Sequence, residues 1–109
     1  MDPFRTYSSS PVHELIPGFR GKFQHGANMT IVYWEIDEGS ELPEHSHEHE
    51  QIATVYEGKF ELTIDGSTKI LEPGMVAVIP SHAIHSGKAV TNCKLTDVFS
   101  PVREDYIFE

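Results

Sequence analysis

The sequence predicts an all-β domain, built as a small antiparallel sandwich or barrel. Three observations carry that class. No stretch shows a sustained 3.6-residue apolar period. Short runs rich in β-branched and aromatic residues recur at close spacing. Glycine and proline punctuate the gaps between them. The chain has 109 residues, with 39% apolar and 23% charged, which is one domain's length and enough apolar matter for one core.

The elements follow in chain order. The first 28 residues hold Pro3, Pro11, Pro17, Gly18, Gly21 and Gly26. So many breakers predict an arm of short extended pieces, residues 1–29, packed on its own or a partner's barrel. Thr30–Asp37 (TIVYWEID) is the first strong strand and opens the barrel, residues 30–109. Gln51–Glu57 is the second. Lys59–Asp65 alternates, with Phe60, Leu62 and Ile64 on one face. Asp65-Gly66 suits a type I′ hairpin turn, because glycine takes positive φ without strain. Thr68–Leu71 is the return strand. Pro73-Gly74 suits a type II turn. Met75–Ile79 and Asn92–Ser100 complete the strands. Helical turns are expected only in the arm or after Pro101.

Charge excludes several classes of partner. Eight basic residues stand against 17 acidic ones, a net charge of −9. The basic residues form no run, so neither nucleic acid nor an anionic membrane is expected as a partner. No apolar run approaches the ~20 residues of a membrane helix. The start, MDPFRTYSSS, lacks the apolar segment of a secretory signal. Cys93 is the one cysteine and cannot form an internal disulfide. A cytoplasmic location is expected.

The chain has seven histidines, three of them at His45, His47 and His49. Residues two apart share a face of a strand, about 7 Å apart. Imidazoles on His45 and His47 can therefore converge on one metal ion. Pro43 and the flanking β-type runs disfavour a helix that would pair His45 with His49. Gln51 keeps the same strand parity. His85 follows the apolar strand Met75–Ile79, where a neighbouring strand could bring it back.

This spacing resembles a known family. Gly39, His45, His47, position 51 and Gly58 look like the first cupin motif, and Gly74, Pro80 and His85 look like the second. The departures are Gln51 in place of glutamate, and His82 and Ala89 in place of glycine and asparagine. The resemblance implies a cupin fold, a double-stranded β-helix or jelly roll, as an antiparallel barrel. It also implies a homodimer and one divalent metal held by His45, His47, Gln51 and His85. Nickel, zinc, manganese and iron all remain open, since imidazole-rich sites discriminate poorly by affinity. His49 is expected either beside the ligands without ligating or on the surface, His82 at the rim of the site, and His13 and His25 on the surface of the arm. A neutral Gln51 leaves the ion its full charge, which favours isomerisation, hydration or tautomerisation over oxidation.

A third constellation lies in Cys93–Phe108 (CKLTDVFSPVREDYIF). On a strand, Cys93, Leu95, Asp97 and Phe99 share one face. Leu95 and Phe99 make it an interior face, so Asp97 is costly there unless paired or used. Desolvation would raise its pKa. Asp97, Phe99 and Arg103, with the run His45-Ser-His47-Glu-His49-Glu50-Gln51, resemble the pectin-degradation cupins. Those act on 4,5-unsaturated uronates and yield linear keto forms. The resemblance implies a small anionic sugar acid as substrate, with Asp97, Phe99 and Arg103 as catalytic and substrate-binding residues. Arg103 would fork the substrate carboxylate. An Asp97–Arg103 ion pair closing the barrel end is the structural alternative. The functional alternatives are another cupin enzyme, such as a dioxygenase or sugar isomerase, and a non-catalytic ligand-binding cupin. The −9 charge repels an anionic substrate at long range, so capture must rest on local positive charge.

Overall fold

The computed structural model describes residues 2–108. The strands are β1 His13–Ile16, β2 Phe19–His25, β3 Thr30–Ile36, β4 Glu41–His45 and β5 Glu50–Glu57, then β6 Phe60–Ile64, β7 Ser67–Leu71, β8 Val76–Ile79, β9 His85–Ala89 and β10 Cys93–Ser100. Short 3-10 turns lie at Tyr7–Ser9 and Glu104–Tyr106. A six-stranded sheet, β1-β2-β3-β10-β5-β8, faces a four-stranded sheet, β4-β9-β6-β7. The pairings are antiparallel.

Alternation decides what faces inward. Thr30, Val32, Trp34 and Ile36 of β3 are buried, as are Cys93, Leu95, Asp97 and Phe99 of β10. β10 lies between β3 and β5, so its inward residues sit mid-sheet. Phe99 is opposite Thr30 and Gln51, and Asp97 is opposite Val32 and Ala53. On the other sheet His45, His85 and Ile64 form one cross-strand row. The polar inward positions therefore gather at one end of the sandwich, and the apolar core fills the rest.

The N-terminal segment is tied to its own chain. β2 pairs with β3 along its whole length. Phe19 is 4% exposed and packs edge-on against Trp34 and Phe60. Burying such a side chain contributes about 2 kcal/mol, which holds the hairpin to the sheet. At the Asp65-Gly66 turn both residues have positive φ, 45° and 83°, as a type I′ turn requires. Gly58 has φ +86°, and a Cβ there would meet the Asn92 carbonyl, so that bend needs glycine. No helix among the described residues is long and apolar enough to cross a membrane.

Candidate metal centre and active site

The site begins with a register fault. On β4, Leu42 pairs with Gly87 and His45 with His85, so three steps match two on β9. The extra residue is a β-bulge, and it spans Pro43, which has no N–H for a ladder. Residues an odd number apart point to opposite faces of a regular strand. The bulge cancels that, and Leu42 and His45 both line the interior cavity.

β4 ends at His45, so His47 lies in the connection to β5. This corrects the expectation that strand parity brings the two histidines together. The loop is held instead by the backbone: the His82 N–H donates to the His47 carbonyl at 2.7 Å. His82 itself is exposed, with φ +67°. That left-handed backbone accounts for the glycine of the family motif at this position. The ring centroids of His45 and His47 are 5.6 Å apart, and those of His45 and His85 are 4.1 Å apart.

One ligating nitrogen from each of His45, His47 and His85 lies within 4.8 Å of the others. The remaining nitrogens are committed elsewhere. Nδ1 of His45, His47 and His85 faces the carbonyls of Pro43, His49 and Ala83 at 2.8, 2.9 and 2.9 Å. A carbonyl only accepts, so each Nδ1 carries the proton and each Nε2 presents a lone pair. Metal-ligating imidazoles are oriented in this way. His85 Nε2 is buried with no hydrogen-bond partner among the described residues. His47 Nε2 faces Gln51 Oε1 at 3.2 Å, and both are acceptors once Nδ1 is protonated. Converging acceptors with nothing to accept suit a cation. His45, His47 and His85 could supply nitrogen, and Gln51 oxygen, to a divalent transition ion. Burial lowers the His47 pKa to about 4, helped by the Arg103 charge and the neighbouring histidines. Burial also lowers that of His85. Both rings therefore stay neutral and able to ligate at neutral pH.

Beside this cluster lies Asp97, which is 8% exposed. The Trp34 indole N–H donates to its Oδ2 at 3.0 Å. Oδ1 is buried with no hydrogen-bond partner among the described residues. Burial pushes the carboxyl up to about 6, opposed by the Gln51 amide, the Trp34 indole and the Arg103 charge. Arg103 is also buried, but its ion-pair partner is Asp105, with Nε and Nη2 at 3.0 and 2.7 Å from the two carboxylate oxygens. The guanidinium lies over both Phe99 and Tyr106, at 4.7 and 4.0 Å from their ring centroids, in the corner that these two perpendicular rings form. Arg103 is thus salt-bridged to the tail and not to Asp97.

His45, His47, Gln51, His85, Asp97, Phe99 and Arg103 all line one cavity of about 170 Å³. His49 lies outside the three-histidine group, with its ring centroid 5.5 Å from that of His47 and 6.4 Å from that of Phe99. The arm histidines are not simple surface residues. His25 is bonded to Thr30 and to the Tyr106 carbonyl, and His13 stacks on Phe108 at 4.0 Å. Sequence reasoning missed Trp34, Asp105 and Tyr106. Trp34 was within reach, because strand parity puts it inside, where an indole N–H needs an acceptor. Asp105 and Tyr106 follow a turn and carry no periodic signal.

The sequence profile of the cupin domain matches residues 32–99. The chain belongs to the cupin family. This cupin is 30% identical to the pectin degradation protein KdgF of Dickeya dadantii over 101 residues, which cover 90% of this chain and 92% of that one. It superposes on the structure of KdgF from Halomonas sp. with a TM-score of 0.90 and 30% identity, covering 98% of this chain and 100% of that one. An RmlC-like cupin from Shewanella frigidimarina gives a TM-score of 0.91 and 29% identity, covering 98% of this chain and 97% of that one. That coverage takes in the N-terminal hairpin and the C-terminal tail of this cupin as well as its barrel.

Proposed function

We propose that this cupin is a metal-dependent enzyme converting 4,5-unsaturated uronates, from pectin or alginate breakdown, to linear keto acids. One observation carries the reading. A buried carboxylate with an unbonded oxygen, an arginine and a three-histidine cluster share a single cavity. The likeness to two KdgF proteins supports the substrate class.

The ring form of such a uronate is a hemiacetal at one carbon and an enol ether at another. Opening it removes a hydroxyl proton as the ring C–O bond breaks, giving an aldehyde and an enolate whose negative charge rests on the former ring oxygen. The enolate carbon then takes back that proton and becomes the methylene of a ketone. Atoms balance without a redox partner, so one group that accepts and returns a proton suffices. Asp97 meets that need: Oδ1 is unbonded, and a pKa of about 6 lets the carboxyl trade protons near neutrality. His45, His47, Gln51 and His85 would hold the divalent ion, which would supply Lewis-acid stabilisation of charge on a substrate oxygen. Gln51 brings no charge to that donor set, which keeps the site cationic towards an anionic substrate. Asp105 occupies the Nε–Nη2 edge of Arg103, so Arg103 would meet the substrate carboxylate with its Nη1–Nη2 end. Phe99 keeps the guanidinium in place and offers ring surface to the sugar.

We place the enzyme in the cytoplasm as a homodimer. The outer face of the six-stranded sheet supports the dimer. Ile52, Val76 and Val78 are 42%, 60% and 55% exposed. Val78 pairs with Ile52, Ile52 with Val98, and Val98 with Ile31, an uncharged apolar row across four strands. Such a face is what a second copy would cover.

Following the ultraviolet absorbance of unsaturated galacturonate tests the reading. Metal-loaded protein is expected to discharge it, and chelated protein to do so far more slowly. Metal-loaded protein without effect on either the pectin-derived or the alginate-derived uronate would remove the proposal.

A further inference from the structure

Arg103 and Tyr106 reach the cavity from a tail that has left the sheet at Ser100. A 3-10 turn of three residues cannot hold its own position. Among the described residues, the hydrogen bonds from this turn to the barrel run through Thr30 and His25. The Arg103 N–H donates to Thr30 Oγ1 at 2.9 Å. Thr30 Oγ1 lies 2.8 Å from His25 Nδ1, and His25 Nε2 lies 3.1 Å from the Tyr106 carbonyl.

The proton positions follow from what each partner can do. The Tyr106 carbonyl only accepts, so Nε2 carries the hydrogen. Nδ1 then accepts the Thr30 hydroxyl proton, and the hydroxyl oxygen is left to accept the Arg103 amide. One neutral tautomer of His25 satisfies the whole set. Thr30 is 0% exposed, so its hydroxyl has no water to fall back on. The other ties between tail and barrel are ring contacts: Tyr106 with Phe23 at 5.1 Å and Phe99 at 5.8 Å, Phe108 with His13 at 4.0 Å and Phe23 at 5.1 Å, and Arg103 over Phe99. Ring contacts resist removal but fix orientation less tightly than directional bonds.

We infer that His25, acting through Thr30, is a positioning residue that fixes the Arg103–Tyr106 turn as a wall of the cavity. It belongs neither to the histidine cluster nor to the residues that line the cavity; it sets where two of those lining residues, Arg103 and Tyr106, stand. The kinetic side of this inference rests on the uronate reading, and the structural side does not.

The test compares the metal-loaded full chain with His25→Phe, which fills the space without polar atoms, and His25→Gln, whose amide can both donate and accept. In His25→Phe, hydrogen exchange at the Arg103, Tyr106 and Ile107 amides is expected to speed up by about tenfold or more. Exchange in β3, β5 and β10 and the bound metal should stay as in the wild type. KM for unsaturated galacturonate should rise by about tenfold with a smaller fall in kcat, and His25→Gln should recover most of both. Thr30→Val repeats the exchange measurement should His25→Phe fail to fold. Unchanged exchange at the three amides, or equal acceleration across the whole barrel, would overturn the inference. A wild type inert towards the uronate would remove the proposed function, and the exchange contrast would still decide the anchor.

Discussion

The Asp105 carboxylate sits on the Nε–Nη2 edge of Arg103, with contacts of 3.0 and 2.7 Å. Arg103 is buried while Asp105 is largely exposed, so the pair straddles the boundary of the cavity. The Asp105 carboxyl is held below its ordinary range by the arginine. Asp105→Asn should therefore loosen the guanidinium without unfolding the barrel. The expected outcome is a several-fold rise in KM, little change in kcat, and a stability loss of about 1–3 kcal/mol, because a buried guanidinium loses its counter-ion. Arg103→Lys should raise KM further, because an ammonium reproduces neither the planar fork nor the stacking. Steady-state rates beside thermal melts check both.

Asp97 gives a pH prediction with a definite sign. Its pKa is about 6 in the folded chain, against about 3.9 when unfolded. Below pH ~4 both states are protonated and burial carries no penalty. As pH rises from ~4 to ~6 the unfolded chain ionises first, so stability falls, by about 3 kcal/mol in all. Asp97→Asn removes that penalty and still accepts the Trp34 N–H. In chelated protein the variant should melt above the wild type near pH ~7.5, and the gap should close towards pH ~4. With metal restored, turnover should drop by roughly 10²–10⁴-fold. A gap that is the same at both pH values would remove the linkage.

The donor set predicts unequal effects of neighbouring histidines. His47→Ala should abolish metal binding, since it removes the lone pair facing Gln51. His49→Ala should keep most of it, because its ring lies outside the cluster and its carbonyl, which holds His47 Nδ1, survives the change. Elemental analysis after dialysis distinguishes the two. Full occupancy in His47→Ala would refute the ligand set.

The apolar outer row predicts how the dimer breaks. Ile52→Glu, in the middle of that row, should give monomers at micromolar concentration in sedimentation, with the melt of the isolated fold little changed. A wild type that sediments as a monomer would remove the dimer.

Legibility in the sequence tracked alternation. β3, β5, β6 and β10 have one buried face each, and their runs showed it to within a residue or two. β4 (ELPEH) and β9 (HSGKA) carry charges, a proline and a glycine, because pairing rather than composition makes them strands. Asp97 was legible from parity alone. Its separation from Arg103 was not, since the choice of Asp105 as partner depends on where the tail turns. His25 looked like a surface residue because its partners, Thr30 and Tyr106, meet it only in the folded chain.

The bulge at Pro43 makes chain length, and not only residue identity, part of the site. Swapping the side chains at positions 43 and 44 leaves the phase of β4 intact. Deleting either residue would rotate His45 to the outside while leaving every donor present in the sequence. Adding one would do the same from the other direction. The loop beyond His47 is anchored by backbone bonds, so composition there can drift. Among homologous chains, the count of residues from Leu42 to His45 should stay constant even where their identities do not.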